Sequence, residues 1–573
     1  MFAELGLTPG HKSLVFGTSG PSGTAGRLYV VKYDGTAAAS FPKTLPREVV
    51  STPAVGPVTL AGGSVVTAII IGYGSNNGSN VNGGGLRAYD TAGNLLWERL
   101  SGTFVGATAP IVTAPAIGDL DGDGKNEVVW TGFDEFIHVS DAGTGAEKPG
   151  FPYRTYDTIW SSPALFDLDG DGRLEIIVGS DQHFQAAPIS TPDGGGLYVV
   201  RADGTNFGGF PKFLDQVITS SPAVGDIDGD GKPEIVVGTG GFWPSRVHAV
   251  YAFHCDGTAV SGWPVSVLGQ VVMAPALADL NGDGVPEVVV TDDNSGPDQL
   301  RRCYAIRGSG APLFAPVVIR DYFAANLSAG DPMVGDVLGN SSPEILIPTN
   351  GEICVISSTG VQLTDNGSHP VGGFTFGVSG SLYNIAVGTL DNSATSIDVV
   401  AIAPSATAGA TGVWVWNPKA PTLPVPWGMF QHDELHRGVV PGTPNCATAT
   451  RFYALTPCRL IDTRGISPGA IGGPALSANE ARAFTLTNRC SVPATARGVS
   501  FNAAVTGPGG AGFISIYLGT LRPTASSLSF SAGITRANNG LTALPLDGSG
   551  AVTFANVSPA AVHLILDVNG YFQ

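Results

Sequence analysis

Charge is scarce in this sequence. Asp, Glu, Lys and Arg together make up 13% of its 573 residues, and only eight of those are lysines. The net charge is −18, which excludes nucleic acid and anionic membrane surfaces as partners, since both need a basic face. Long apolar runs are also missing. The best, VVTAIIIG (65–72), is strand-sized and far short of the ~18 residues of a membrane helix, so no membrane insertion is expected. The opening MFAELGLTPGHK has neither the basic start nor the apolar core of a secretory leader, which leaves the compartment open. Six cysteines occur without a CxxC pair or zinc spacing. What is abundant is turn chemistry: 80 Gly and 42 Pro, beside 43% apolar residues. That combination excludes disorder as the main state and favours short strands over long helices.

The strands repeat. PAIGDLDGDGKNEVVWTG (115–132), PALFDLDGDGRLEIIVGS (163–180), PAVGDIDGDGKPEIVVGT (222–239) and PALADLNGDGVPEVVVTD (275–292) are copies of one unit. A worn copy, PMVGDVLGNSSPEILIPT, starts at 332, and weaker copies lie at 2–18, 53–72 and 384–403, giving eight units. A second pattern, as in LYVVRADGTNFGGFPK (197–212), adds a strand, an Asp-Gly turn and a further strand to each unit. Four short strands per unit at this period predict a β-propeller of eight blades, or seven if the first copy is a remnant. The fold class is therefore all-β. The propeller is placed at 1–440, a linker at 441–450 and a second domain at 451–573.

The loop between the first two strands carries oxygens at alternate positions. In the first intact copy these are Asp119, Asp121, Asp123, the Lys125 carbonyl and Glu127. The equivalent sets are Asp167, Asp169, Asp171, Arg173 carbonyl and Glu175; Asp226, Asp228, Asp230, Lys232 carbonyl and Glu234; and Asp279, Asn281, Asp283, Val285 carbonyl and Glu287. A hard cation such as Ca²⁺ takes about six to eight oxygens, and the Gly after the third acidic position permits the sharp turn. An EF-hand needs an acid at position twelve and flanking helices. Trp130, Val178, Val237 and Val290 stand at that position, and the flanks are β-branched. About four structural Ca²⁺ ions are expected, and none in the worn copy, where Leu338 and Ser342 replace ligands.

These repeats resemble FG-GAP (VCBS-type) repeats, the blades of integrin α-subunit propellers and of many secreted bacterial proteins. The resemblance spans roughly residues 2–435. It implies a secreted or cell-surface protein that binds calcium and acts in adhesion, with a glycan or a protein as ligand. Two other readings stand beside it. One is a structural module of a surface assembly that self-associates. The other is an enzyme of the polysaccharide lyase type, because some rhamnogalacturonan lyases use eight-bladed calcium propellers. No catalytic constellation is legible. HDELH (432–436) has Asp433 where a zincin needs Glu, and reads with PWGMFQHDELHRG as the segment that closes the ring.

Residues 451–573 lose the repeat, and their alternating runs predict a β-sandwich of seven to nine strands. PCRLIDTR, NRCSVPATA, TRANNG and HLILDVNGYF resemble a recurring C-terminal module of secreted bacterial proteins. Cys458 and Cys490 are expected to pair there, while Cys303 and Cys354 are expected to stay buried thiols. Asp462, Arg464, Arg536, Asn538, Asn539, His563 and Asp567 read as a binding cluster or, in preference, as buried polar bonds at strand ends. In the propeller, the irregular loops join the second and third strands, on the face opposite the acidic loops. Variable loops on a rigid scaffold are the usual home of binding. Tyr73, His183, Phe184, Phe242, Trp243, Arg246 and Asp293 are the ligand-face candidates.

Overall fold

In the computed structural model, the described residues are 1–19, 25–74, 83–104, 107–182, 193–241, 243, 246–293, 295–319, 330–349, 353–364, 385–391, 397–404, 411–416, 425–446, 452–494, 496–518, 522–523, 525–545 and 549–572. Among them there are strands and turns but no helix, so none is long and apolar enough to cross a membrane. The chain divides into two units, Met1–Ala447 and Thr448–Gln573.

The first unit is a series of antiparallel sheets, each formed by consecutive strands. Eight are numbered here in chain order. Sheet 3, for example, runs Ala116–Gly118, Glu127–Thr131, Phe136–Asp141, Tyr153–Arg154. Sheets 1 to 6 have four strands, while sheets 7 and 8 have three among the described residues. The second strands, such as EVVWT, EIVVG and EVVVT, are buried along their whole length. Their β-branched runs suit strands covered on both faces. The first strands of sheets 2 to 8 touch in succession, each against the next. Sheet 1 meets sheet 8: Phe2, Leu14 and Phe16 share a hydrophobic cluster with Ala386, Leu390 and Val400, and the Lys12 N–H donates to the Leu390 carbonyl at 2.8 Å.

The outer edges interlock backbone to backbone. A Cβ placed on Gly150 of sheet 3 would lie 2.2 Å from the Asp203 carbonyl oxygen of sheet 4, and one on Gly209 would lie 2.0 Å from that of Asp256 in sheet 5. Only glycine fits such an approach. The aromatic-Pro pairs sit at the same seams. Trp263 is buried and its Nε1–H donates to the Gly308 carbonyl at 2.7 Å, tying sheet 5 to sheet 6.

One segment reaches six sheets. Residues 427–440 run past the first strands, and the acceptors are Trp427 O for Val334 N–H, Gly428 O for Val387, Glu434 O for Val55, Leu435 O for Ile117, Arg437 O for Leu165 and Gly438 O for Val224, all at 2.6–2.9 Å. His436 is fully buried and its Nδ1 lies 3.1 Å from the Pro115 carbonyl. Burial pushes the His436 pKa down to about 4, so it is neutral. Gln431, His432 and His436 adopt positive φ of 47°, 71° and 57°, a region non-glycine residues enter only when surrounding contacts impose it. HDELH is thus part of a strap along the first strands, and neither of its histidines joins a group of metal-ligating side chains among the described residues.

Residues 441–446 read from composition as linker, yet Cys446 is held in the first unit. Its N–H donates to Leu168 O at 2.7 Å and its sulfur bonds Cys255. The second unit contains two four-stranded sheets, ordered Phe452–Asp462, His563–Phe572, Gly498–Thr506, Arg536–Ala543 and Ala481–Thr485, Ala551–Val557, Gly512–Tyr517, Leu528–Phe530. Both contribute to one buried cluster, including Val499, Phe501, Phe554 and Leu566. Cys458 pairs with Cys490, and Cys303 and Cys354 are buried free thiols.

The strap predicts a stability cost. Trp427 is buried in the largest hydrophobic cluster of the unit. Trp427→Ala is expected to destabilise the first unit by about 3–5 kcal/mol. Denaturant unfolding followed by far-UV circular dichroism measures it.

Candidate functional site

Each acidic loop is shaped by a buried glutamate. Glu127 begins the second strand of sheet 3, is 1% exposed, and its Oε2 accepts the Leu120 N–H at 2.9 Å. The same bond joins Leu168 to Glu175 (2.8 Å), Ile227 to Glu234 (3.0 Å) and Leu280 to Glu287 (2.9 Å). The first aspartate closes the turn from the other side. Asp119 Oδ2 accepts Gly124 N–H at 2.9 Å, Asp167 accepts Gly172 at 3.0 Å, Asp226 accepts Gly231 at 2.9 Å and Asp279 accepts Gly284 at 2.8 Å. The third acidic position holds the residue two further on: Asp123 accepts from Lys125, Asp171 from Arg173, Asp230 from Lys232 and Asp283 from Val285, at 2.8–2.9 Å. Gly122 and Gly124 have φ of 74° and 83°, as this winding requires.

These bonds leave oxygens over. Asp119 Oδ1 and Asp169 Oδ1 are shielded from solvent and have no hydrogen-bond partner. Asp119, Asp121 and Glu127 offer ligand atoms within 4.8 Å of one another, as do Asp167, Asp169 and Glu175, and Asp226, Asp228 and Asp230. A set made of oxygen atoms alone suits a hard cation such as Ca²⁺. Burial pushes Glu175 and Glu234 up to about 8, a cost that a bound cation would remove. The loop at 279–287 brings no three acidic groups so close among the described residues; there Asn281 Nδ2 donates to Glu287 Oε1 at 2.5 Å. The worn copy keeps the shape without the second acid, where Leu338 stands: Glu344 accepts Val337 N–H at 3.0 Å, Asp336 accepts Ser341 N–H at 2.9 Å and Asn340 Oδ1 accepts Ser342 N–H at 2.8 Å. The winding therefore does not need the second acid, whose place Leu338 takes in the worn copy.

Sequence reasoning missed the partner of each loop. Lys148 donates to Asp121 Oδ2 at 2.8 Å and Glu127 Oε1 at 2.9 Å. Arg201 donates to Asp169 Oδ2 at 2.9 Å and lies 3.7 Å from Glu175. In sheet 5 the equivalent residue is His254, with Nδ1 at 3.1 Å from Glu234 Oε1. The signal was present in part, because Arg201, His254 and Arg307 each stand at the same place before the turn that follows the third strand. Lys148 comes from beyond that turn.

Residues 119–178 match the model of the FG-GAP-like repeat, and residues 219–251 match that of the FG-GAP repeat. The chain carries FG-GAP repeats. No curated protein matches it in sequence. Solved structures similar to this FG-GAP chain include BamB from Moraxella catarrhalis (14% identity, 73% of this chain and 95% of that one, TM-score 0.40). Others are the PilY1 C-terminal domain from Pseudomonas aeruginosa (16%, 71% and 93%, 0.35) and the C-terminal WD40 domain of Sif2 (11%, 72% and 98%, 0.37).

The ligand-face candidates fare differently. The acidic loops precede the second strands of the FG-GAP repeats and the irregular loops follow them, so the two sets sit at opposite strand ends. Tyr73 is a correction: it is 1% exposed and its hydroxyl donates to Glu98 Oε1 at 2.6 Å, because it ends the second strand of sheet 2 instead of entering the loop. Arg246 stacks on Trp243 at 4.1 Å and donates to the carbonyls of Asp193 and Asp215, pinning sheet 5 to sheet 4. Asp293 accepts Gln270 and Ser295 N–H groups at 2.9 and 3.0 Å. His183, Phe184 and Phe242 lie outside the described residues. In the second unit Asp462 is buried and chelated by Arg464, which holds its carboxyl below the usual range, and Arg459 pairs with Asp567. His563 meets Thr463, and Asn538 donates to Ser527 O. Arg536, Asn538 and Asn539 lie on the exposed strand Arg536–Ala543.

A second titratable cluster lies in sheet 3. His138 stacks on Trp130 at 3.8 Å, with Nε2 3.0 Å from Asp134 Oδ2 and Nδ1 3.2 Å from Glu147 Oε1. Burial alone would lower its pKa, but the two carboxylates outweigh burial and hold it at about 9. The folded value lies above the unfolded one, so the stabilisation is full below pH ~6.5 and is lost as pH rises through 9. Wild type is expected to lose on the order of 3 kcal/mol over that window and His138→Gln to lose far less, measured by urea unfolding at stepped pH.

The Lys148 contact yields another expectation. Lys148→Met removes a positive charge from the 119–127 loop, so its Ca²⁺ affinity should rise about tenfold, an effect of ~1.4 kcal/mol. Calorimetric titration checks it, and adding Asp121→Ala should abolish the gain.

Proposed function

We propose that this protein is a secreted or cell-surface, calcium-binding β-propeller that acts in adhesion, holding a glycan or protein ligand on the face opposite its acidic loops. In this reading the eight sheets are blades of one closed ring, and the second unit is a β-sandwich appended to it. The observation that carries the calcium part is the surplus of oxygens. In sheet 3 the loop winding uses one oxygen of Asp119 and one of Glu127, which leaves Asp119 Oδ1 without a hydrogen-bond partner, and the worn copy keeps the same outer bonds with Leu338 in the place of the second acid. The second acid, which the winding can do without, and the second oxygen of the buried glutamate are the groups a cation would use. Asp119, Asp121, Asp123 and Glu127, with the Lys125 carbonyl, would hold it in sheet 3, and the equivalent residues in sheets 4 to 6. The ion would neutralise the buried glutamate and fix the loop. The contact of sheet 1 with sheet 8 and the strap along six sheets support closure.

Calcium should raise the melting temperature. At ~10 mM Ca²⁺ and a Kd of ~10⁻⁴ M, each site contributes about 2.7 kcal/mol. Asp121→Ala, Asp169→Ala, Asp228→Ala and Asn281→Ala are each expected to lower the melting temperature in calcium and to matter much less in chelator. Asp336→Ala should show no calcium dependence. An unchanged wild-type melting temperature in chelator would overturn the metal reading. For adhesion, a glycan array and a panel of immobilised matrix proteins should give binding that chelator reduces; self-association in place of any ligand would favour the assembly role.

A further inference from the structure

The loop of sheet 5 differs from its three relatives in one donor. Glu234 and His254 stand directly opposite each other in the ladder between Glu234–Gly238 and His248–His254, so their side chains share a face. Glu234 is 0% exposed, its Oε2 is committed to the Ile227 N–H, and its Oε1 lies 3.1 Å from His254 Nδ1. The ligand atoms of Asp228, Glu234 and His254 all lie within 4.8 Å of one another. In sheet 4 the register places Arg201 at this point, one step beyond the Ile176–Val200 pair, and in sheet 6 it places Arg307, one step beyond Val288–Ile306. In sheet 3, Lys148 reaches in from outside the ladder. A guanidinium has no lone pair to give, and an ammonium has none until it loses its proton. Imidazole has one.

We propose that Asp228, Glu234 and His254 form a site for a first-row transition metal ion of the Zn²⁺ type, distinct in preference from the oxygen-only loops of sheets 3, 4 and 6. The proposal rests on the reading of these loops as metal sites and adds which ion one of them takes. The chemistry follows from the donors. Imidazole nitrogen suits Zn²⁺, Ni²⁺ and Cu²⁺, whereas Ca²⁺ takes oxygen. Zn²⁺ binds carboxylate oxygen and imidazole nitrogen at about 2.0–2.2 Å, so ligands of one ion lie up to roughly 4.2 Å apart. The three atoms, already within 4.8 Å, need only a small side-chain adjustment to close. Two features hold the frame. His254 N–H donates to Thr258 O at 2.9 Å, and the next residue, Cys255, is disulfide-bonded to Cys446.

The test uses the full chain, stripped with chelator and titrated calorimetrically with Zn²⁺ in saturating Ca²⁺, and with Ca²⁺ alone. Wild type should take up one Zn²⁺ that Ca²⁺ does not displace. His254→Gln should weaken that uptake at least thirtyfold while keeping Ca²⁺ uptake at the loops of sheets 3, 4 and 6. His11→Gln, at an exposed turn outside the site, should behave as wild type, which separates adventitious binding by surface histidines. Cu²⁺ in place of Zn²⁺ should show nitrogen hyperfine coupling that His254→Gln removes. Ca²⁺ uptake without Zn²⁺ uptake, or Zn²⁺ uptake unaffected by His254→Gln, overturns the proposal and leaves the calcium reading intact. Zn²⁺ uptake lost in His254→Gln with no Ca²⁺ uptake anywhere upholds the proposal and overturns the calcium reading. Uptake of neither overturns both.

Discussion

A carboxylate buried at the foot of each loop is the constraint from which the rest follows. Glu127, Glu175, Glu234 and Glu287 are all but inaccessible to solvent, yet each spends only one oxygen on the backbone N–H seven residues earlier. That bond sets the loop's span and starts the second strand in register. The other oxygen is left in a desolvated place where charge is costly unless something positive answers it. The chain meets this need with Lys148 in sheet 3, Arg201 in sheet 4 and an imidazole in sheet 5. A diffusible cation of the kind proposed would address the same oxygens as these tethered groups, so what distinguishes the loops is the side chain that approaches them.

The sheets themselves are held by contacts too close for side chains. Gly150 and Gly209 abut the turns of the following sheets, and Trp263 crosses to Gly308. Arg246, bridging Trp243 to the carbonyls of Asp193 and Asp215, makes a similar tie at the other strand ends. Spacing between sheets is therefore fixed at the edges, while the first strands, packed in succession, set it inside.

The repeats and their loops were legible because the information is local. Alternate oxygens, paired glycines and a closing glutamate occupy nine consecutive residues, and β-branched runs follow them directly. The Cys458–Cys490 pair was legible for the same kind of reason, the two cysteines of one domain being 32 positions apart. Two of the failures are long-range and one is a strand boundary. Cys255 and Cys446 are 191 residues apart and lie in parts of the sequence with different textures, which made 441–446 look like linker. Tyr73 follows an apolar run and precedes a glycine-rich loop, and nothing in the sequence told on which side of that boundary it falls; the ladder to Gly85 puts it inside the strand. Lys148 is 21 residues from the glutamate it meets, and only the folded hairpin measures that distance.

The strap has a consequence for the order of events in synthesis. A ribosome delivers the sheets one after another, and each can pair its own strands as soon as its last strand emerges. The first strands of sheets 2 to 5 nonetheless wait for partners made more than 200 residues later, since the acceptors for Val55, Ile117, Leu165 and Val224 are Glu434, Leu435, Arg437 and Gly438. Until those residues leave the exit tunnel, four buried N–H donors lack their native acceptors. The last-made part of the first unit thus completes the first-made.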